Sequence, residues 1–237
     1  MVMKILFLPY QPHFLSFGGF ELQTLNTYRA LSGIKVDVKL GDVWNSLESF
    51  DILHVWGWGL PNCLNIDFAK KAGKKIVATC LFSYFDTTKQ AVKYRFKLRN
   101  SKTRIISEYY KKADAIAVVN NLQAEICSWY FGISANKIHV VPNVVDGIFF
   151  KPSNEEFKNR FGIANYILTT GNICKRKNQL NLAKACIKEK IPLVIIGEIL
   201  DGELKYANEL DSLIKNESQV IWLKGLEANS LLLKSAY

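Results

Sequence analysis

The sequence predicts an α/β protein: a doubly wound parallel sheet in the N-terminal part, followed by a partial second Rossmann-like domain. Three observations predict it. Short apolar runs recur, each bounded by polar residues or by Gly and Pro, as in strands buried on both faces. Stretches of helical period lie between them. Beyond Asp146 a polar connection, residues 151–160 with Pro152, leads into a second alternation of the same kind.

In order, the strands of the first half are expected at residues 4–8, 36–40, 52–56, 75–79, 115–119 and 138–141. The opening run, residues 5–8, is closed by Pro9, so it reads as a buried strand and not as a signal peptide. Helices are expected at 20–31, 65–72, in part of 89–112, and at 122–130. The second half reads strand 166–169, helix 178–188, strand 193–196, helix 204–214, strand 220–223 and a helix start near 229. This divides the chain into domains 1–148 and 149–237.

Composition bounds the class. With 49% hydrophobic and 22% charged residues, the 237-residue chain fits a soluble globular protein of one large or two small domains. No apolar run is long enough to span a bilayer. Five scattered cysteines, without a CxxC pair or a histidine cluster, point to reduced thiols in a cytosolic protein and imply no metal. The net charge of +10 is concentrated: residues 89–112 hold nine Lys and Arg against Glu108 alone. A solvated helix face explains such a run. Val92, Tyr94, Phe96, Leu98, Ile105 and Ile106 interleave with the charges, however, which also fits an anionic membrane surface with Lys93, Lys97 and Arg104 as contacts. No nucleic-acid motif accompanies it, so nucleic acid is not an expected partner.

In open α/β sheets ligands lie beyond the carboxyl ends of the strands. After the first strand Gly18-Gly19 stand before a helix; they are either a plain turn or a place for a ligand to approach the backbone. After the third strand comes His54-Val55-Trp56-Gly57-Trp58-Gly59, whose tryptophans either wall a sugar or lipid site or pack in the core. After the fourth comes Cys80-Leu81-Phe82-Ser83-Tyr84-Phe85-Asp86. In the second half, strand 166–169 runs into Gly171 and the cluster Lys175-Arg176-Lys177, and a helix follows. A glycine, fixed positive charge and a helix start in that order suggest a phosphate site; the plain alternative is a solvated basic turn.

These pieces resemble, in order along the whole chain, the group 1 (family 4) glycosyltransferases of the GT-B fold. Gly18-Gly19-Phe20-Glu21 resembles the family's GGxE loop. Phe50-Asp51-Ile52-Leu53-His54 resembles its third strand, and Ala113-Asp114-Ala115-Ile116-Ala117-Val118-Val119 a later one. There Asn120-Asn121 replaces the usual Ser. Residues 137–146 resemble K-i-x-v-i-P-N-G-V-D with Val144 in place of glycine, and residues 171–185 resemble G-R-x-x-x-K-N-x-x-x-L-x-x-A.

The resemblance implies a GT-B-like fold, with an N-terminal acceptor domain and a C-terminal domain for a nucleotide-sugar. The implied reaction is hexosyl transfer to a glycan or lipid-linked acceptor in polysaccharide biosynthesis, on the cytoplasmic face of the membrane. Lys177 matches the lysine on the donor diphosphate; Gly18, Gly19, Gly171, Asn172 and Arg176 complete the implied donor set. Asn172 stands where the family has arginine, with Arg176 as the substitute cation. His13, Glu21, His54 and Trp56 are implied on the acceptor side. The nucleotide-sugar is a co-substrate, and neither cofactor nor metal is implied. The family's cleft histidine after the fourth strand is missing, which leaves Ser83 and Asp86 as catalytic candidates. The family's E-x7-E pair has no counterpart in a matching context after Gly171, so the expected donor domain is incomplete and lacks on the order of 100 or more residues. This predicts weak nucleotide binding, no transfer by the chain alone, and an unpaired sheet edge open to self-association. The rival readings are another GT-B enzyme, such as a nucleotide-sugar epimerase, and a non-catalytic membrane-surface module.

Overall fold

The structure is a computed structural model that describes residues 2–9, 11–13, 18–42, 49–80, 101–151, 155–227 and 230–237. The chain divides into two compact units, Met1–Val144 and Val145–Tyr237.

The first unit is built on six parallel strands: β1 (Met3–Pro9), β2 (Val36–Leu40), β3 (Ile52–Trp56), β4 (Lys75–Thr79), β5 (Ala115–Val118) and β6 (Ile138–Val140). Their order is β2-β1-β3-β4-β5-β6. The order turns back between β1 and β3, where Pro9 is paired with Trp56, so the crevice of a doubly wound sheet opens there. Among the described residues its helices are α1 (Gly19–Ser32), α2 (Leu60–Lys71), α3 (Ser101–Lys111) and α4 (Asn121–Trp129).

Alternation along the strands assigns the two faces. Leu53 and Val55, Ile76 and Ala78, and Ile116 and Val118 pack with residues of α2, α3 and α4. Phe7, Val38 and Trp56 pack on the other face with Phe20, Tyr28 and Leu31 of α1. Each large side chain so buried contributes about 1.5–3 kcal/mol.

Two of the family-like motifs turn out to be scaffold. The Asp51 carboxylate accepts the Lys4 N–H at 2.9 Å, and Asp114 accepts the Ile76 N–H at 2.8 Å and the Lys70 ammonium at 2.7 Å. Both pin neighbouring strands near their amino ends, away from the crevice. Asn120, which stands in place of serine, does a serine's work: its side chain accepts the Gln123 N–H at 3.0 Å and caps α4. Helix α2 starts five residues before the expected position. Gly59 forms its extended N-cap and Pro61 sits in the first turn, where a preset φ and a missing N–H cost nothing.

The second unit has three parallel strands, β7 (Ile167–Thr170), β8 (Leu193–Ile196) and β9 (Val220–Leu223), in that order across the sheet. Its helices are α5 (Glu156–Phe161), α6 (Gln179–Lys188), α7 (Leu204–Ile214) and α8 (Leu231–Ala236). Leu193 and Ile195 of β8 meet α6 and α7, while Val194 and Ile196 meet α5 and α8. β8 is buried throughout, which explains its unbroken apolar sequence.

Helix α5 lies inside the stretch expected as a polar connection. Phe157 is fully buried there, with ring centroids 4.6 Å from Phe161 and 5.6 Å from Tyr166. Two phenylalanines four residues apart, among charges in a six-residue helix, are too few to register as a period. All five cysteines are free and buried.

Candidate functional site

In the first unit the carboxyl ends of β1 and β3 carry the expected acceptor-side residues. His54 is held by burial at a pKa of about 3, so it is neutral at ordinary pH. Its Nε2 is hydrogen-bonded to Thr79 Oγ1 at 2.7 Å, and its ring stacks on Trp56 at 4.6 Å. Trp56 is itself buried, and its indole N–H has no hydrogen-bond partner among the described residues. Trp58 stacks on Phe131 at 4.3 Å and leans on Tyr110 at 4.4 Å. Both tryptophans therefore pack in the core. Tyr110 donates to the Gly57 carbonyl, and Asn62 donates to the Trp56 carbonyl at 3.0 Å, which fixes the β3–α2 turn.

Glu21 is buried in the first turn of α1, and Gln11 donates to its carboxylate at 3.0 Å. A carboxylate there already satisfies the positive end of the helix dipole, and it accepts hydrogen bonds from hydroxyls better than it tolerates a phosphate. Gly18 and Gly19 lie beside it. A Cβ on Gly19 would meet nothing within 4 Å, so the backbone there is open. His13 is half-buried between β1 and α1.

The buried imidazole has a measurable consequence. His54 takes up a proton in the unfolded chain at its ordinary 6.5 but stays neutral in the folded chain down to about 3. The unfolded state therefore binds more protons in this window, and stability falls as pH falls. The expected slope is up to about 1.4 kcal/mol per pH unit, read between about pH 6.5 and 5, above the carboxylate range. Urea unfolding of His54→Gln should lose this slope. An unchanged slope would contradict the assignment.

The second unit gathers its candidate residues at the carboxyl ends of β7, β8 and β9. Gly171, with φ +123°, follows β7; Gly197 follows β8; Gly225, with φ +98°, follows β9. Gly171 and Gly225 hold backbone conformations that side chains rarely adopt. At Gly197 the constraint is contact: a Cβ would overlap the Gly171 carbonyl oxygen and stand 2.8 Å from its carbon. The Gly171 loop is strapped down on three sides. Its N–H donates to the Ile196 carbonyl at 2.9 Å, the Ile173 N–H donates to the Glu198 carbonyl at 2.7 Å, and Gln179 Nε2 donates to the Asn172 carbonyl at 3.0 Å. The Trp222 indole N–H holds the Gly197 carbonyl at 3.1 Å.

Over this rim folds Lys177, whose Nζ lies 3.9 Å from where a Cβ of Gly171 would stand. Lys175, Arg176 and Lys177 form an exposed 3₁₀ turn, and none of the three takes part in an ion pair among the described residues. The structure thus brings Gly171, Asn172 and Lys177 together and leaves Arg176 exposed in the same turn. The start of α6 is less open than expected, because the Leu180 N–H donates to the Tyr206 hydroxyl at 2.8 Å. Gly197, Gly225 and Trp222 were missed in the sequence. An isolated glycine after a strand is a common turn signal, and only the register of three parallel strands lines them up. The Glu198 side chain lies against Gly225 and adds a hydroxyl acceptor to the rim.

Ser83, Asp86, Lys93 and Lys97 lie outside the described residues. Arg104 is exposed on α3. Among the described residues no group of His, Cys, Asp and Glu is arranged to hold a metal ion.

Successive parallel α/β units with glycine turns at the carboxyl ends of the strands are the architecture of GT-B proteins. Residues 21–147, more than half of the chain, match Glycosyltransferase Family 4, and the chain belongs to that family. It is 30% identical over 133 residues to an uncharacterized glycosyltransferase of Methanocaldococcus jannaschii; the match covers 51% of this chain and about a third (32%) of that relative. Its fold is similar to that of Anabaena HepE, crystallised in complex with UDP, with a TM-score of 0.64, 19% identity, and 98% of this chain and 71% of HepE covered. A Rickettsia africae glycosyltransferase has a TM-score of 0.66 at 14% identity, with 98% of this chain and 70% of that one covered. The UDP-GlcNAc 2-epimerase of M. jannaschii shares the fold at a TM-score of 0.56 and 13% identity, covering 100% of this chain and 76% of the epimerase.

Proposed function

We propose that this protein transfers a hexosyl group from a nucleotide-sugar to a glycan or lipid-linked acceptor, in polysaccharide biosynthesis. One observation carries the reading. In a chain of Glycosyltransferase Family 4, three glycine turns meet at one rim with Lys177 folded over Gly171. As a glycosidic bond breaks, negative charge builds on the departing diphosphate. A fixed ammonium and backbone N–H groups stabilise that charge more than they stabilise the bound donor, which is what speeds the step. Asn172 offers an amide where the family has arginine, and Arg176 adds long-range charge. On the acceptor side, we assign Glu21 to accept a hydrogen bond from an acceptor hydroxyl. Ser83 and Asp86 are the side chains we assign to polar contact with the reacting sugar. The epimerase fold likeness supplies no residue that favours epimerisation over transfer.

The acceptor reading includes a peripheral place on the inner membrane face, with Lys93, Lys97 and Arg104 toward anionic lipid. No helix among the described residues is long and apolar enough to cross a membrane. The outer edges of β7 and β9 have no strand partner among the described residues, which supports self-association through an edge. Calorimetric titration with UDP tests the donor reading. Saturable binding is expected with a Kd above about 0.1 mM, because few groups offset the cost of fixing the ligand. No heat of binding at millimolar UDP would contradict the reading, and tight binding would place the site elsewhere.

A further inference from the structure

Helix α2 is apolar on two opposite faces. Its inner face, Cys63, Ile66 and Ala69, is buried against the sheet. On the outer face Leu60, Leu64 and Phe68, at successive turns, are 39%, 60% and 65% exposed. A helix hydrophobic on both sides ordinarily has both sides covered. Helix α3 lies beside α2: Asn62 donates to the Tyr110 hydroxyl at 3.1 Å, and Asp67 and Lys112 form an ion pair at 3.1 Å. Tyr109 faces the same way as Lys112, whose ammonium stands 4.3 Å from its ring centroid. One turn before Tyr109, Ile105 is 45% exposed. Four large exposed apolar side chains on two adjacent helices are a patch and not the usual scatter.

Charge identifies what covers it. The same two helices carry exposed cations: Lys71 on α2, with its side chain 72% exposed, Lys102 and Arg104 on α3, and Lys112 just after it. The carboxylates on these two helices are Asp67 and Glu108, both already held by lysines: Asp67 by Lys71 and Lys112, Glu108 by Lys111. An apolar strip flanked by long cationic side chains matches an anionic lipid surface, with leucine and phenylalanine at the acyl boundary and ammonium groups at the headgroups. The strip also begins where the acceptor side ends: Leu60 follows the Gly57–Gly59 turn at the carboxyl end of β3.

We infer that the α2–α3 ridge of Leu60, Leu64, Phe68 and Ile105, bordered by lysine and arginine, seats this unit on an anionic membrane surface beside a lipid-linked acceptor. The inference deepens the proposed acceptor reading and rests on it. Its test uses no donor and no transfer, so its failure leaves the donor rim standing.

The full chain is mixed with phosphatidylcholine vesicles, with and without phosphatidylglycerol, and sedimented at low and high salt. Partition to the anionic vesicles is expected to be salt-sensitive and negligible on the neutral ones. Leu64→Ser with Phe68→Ser should weaken it at least about tenfold, with circular dichroism and thermal unfolding unchanged because both side chains are exposed. Lys102→Glu with Arg104→Glu should abolish it. Equal binding to neutral vesicles, no binding to either, or unchanged partition of the serine pair would overturn the inference. So would a concentration-dependent dimer lost in the serine pair without vesicle binding, which would assign the ridge to a second copy.

Discussion

Gly197→Ala is expected to destabilise the second unit by about 3 kcal/mol and to eliminate UDP binding. The added methyl would meet backbone, the Gly171 carbonyl, and not the movable end of a side chain. Relief requires β7 and β8 to part at their carboxyl ends. That movement strains the Gly171–Ile196 hydrogen bond of 2.9 Å and the Trp222–Gly197 bond of 3.1 Å together. Gly19→Ala is the control, since a methyl there meets nothing within 4 Å, and its stability should stay within about 0.5 kcal/mol of the parent. Urea denaturation followed by the NMR signal of the Trp222 indole N–H reads the second unit, because the other tryptophans (Trp44, Trp56, Trp58 and Trp129) belong to the first. A Gly197→Ala protein of parental stability would mean that the two loops are not in contact.

Lys177→Ala is expected to do the opposite: leave stability nearly untouched and weaken UDP binding about ten- to hundredfold, the worth of one charge-assisted hydrogen bond. The side chain is exposed and takes part in no ion pair among the described residues, so the fold loses little. What is lost is a cation held over Gly171, where a phosphate would approach. Lys177→Arg should retain part of the affinity, because it keeps the charge but not the compact ammonium. Arg176→Ala should have a smaller effect, since no atom of Arg176 comes within 4 Å of where a Cβ of Gly171 would stand. In a transfer assay on a version extended to a full donor domain, the same Lys177→Ala change should lower turnover more than it raises the donor KM, as expected of a group that acts on the departing diphosphate. Calorimetry with equal affinity for parent and Lys177→Ala would remove Lys177 from the site.

Much of the fold was legible because parallel strands announce themselves. The runs at 52–56 and 75–79 coincide with β3 and β4, since each is short, apolar and closed by polar residues. Helix α5 was illegible because one buried phenylalanine, Phe157, carries it among charges. The start of α2 was missed because Leu60-Pro61 reads as a turn until the extended Gly59 before it is seen as an N-cap. In the site, Gly171 and Lys177 were visible as a local pattern of glycine and charge. Gly197 and Gly225 were not, because what joins them is pairing between strands more than twenty residues apart. Asp51 and Asp114 show the reverse: motif residues that look chemical in sequence act as strand staples in the structure.

If the carboxyl rim of β7, β8 and β9 holds a nucleoside diphosphate, an NMR titration of the isotope-labelled 237-residue chain with UDP, following backbone amides, will locate it. Saturable shifts are expected at Gly171, Asn172, Lys177, Gly197 and Gly225, lost in Lys177→Ala while the remaining spectrum is preserved. Shifts confined to the first unit, or gathered in the groove between α6 and α7 around Lys184 and Asn208, would contradict it.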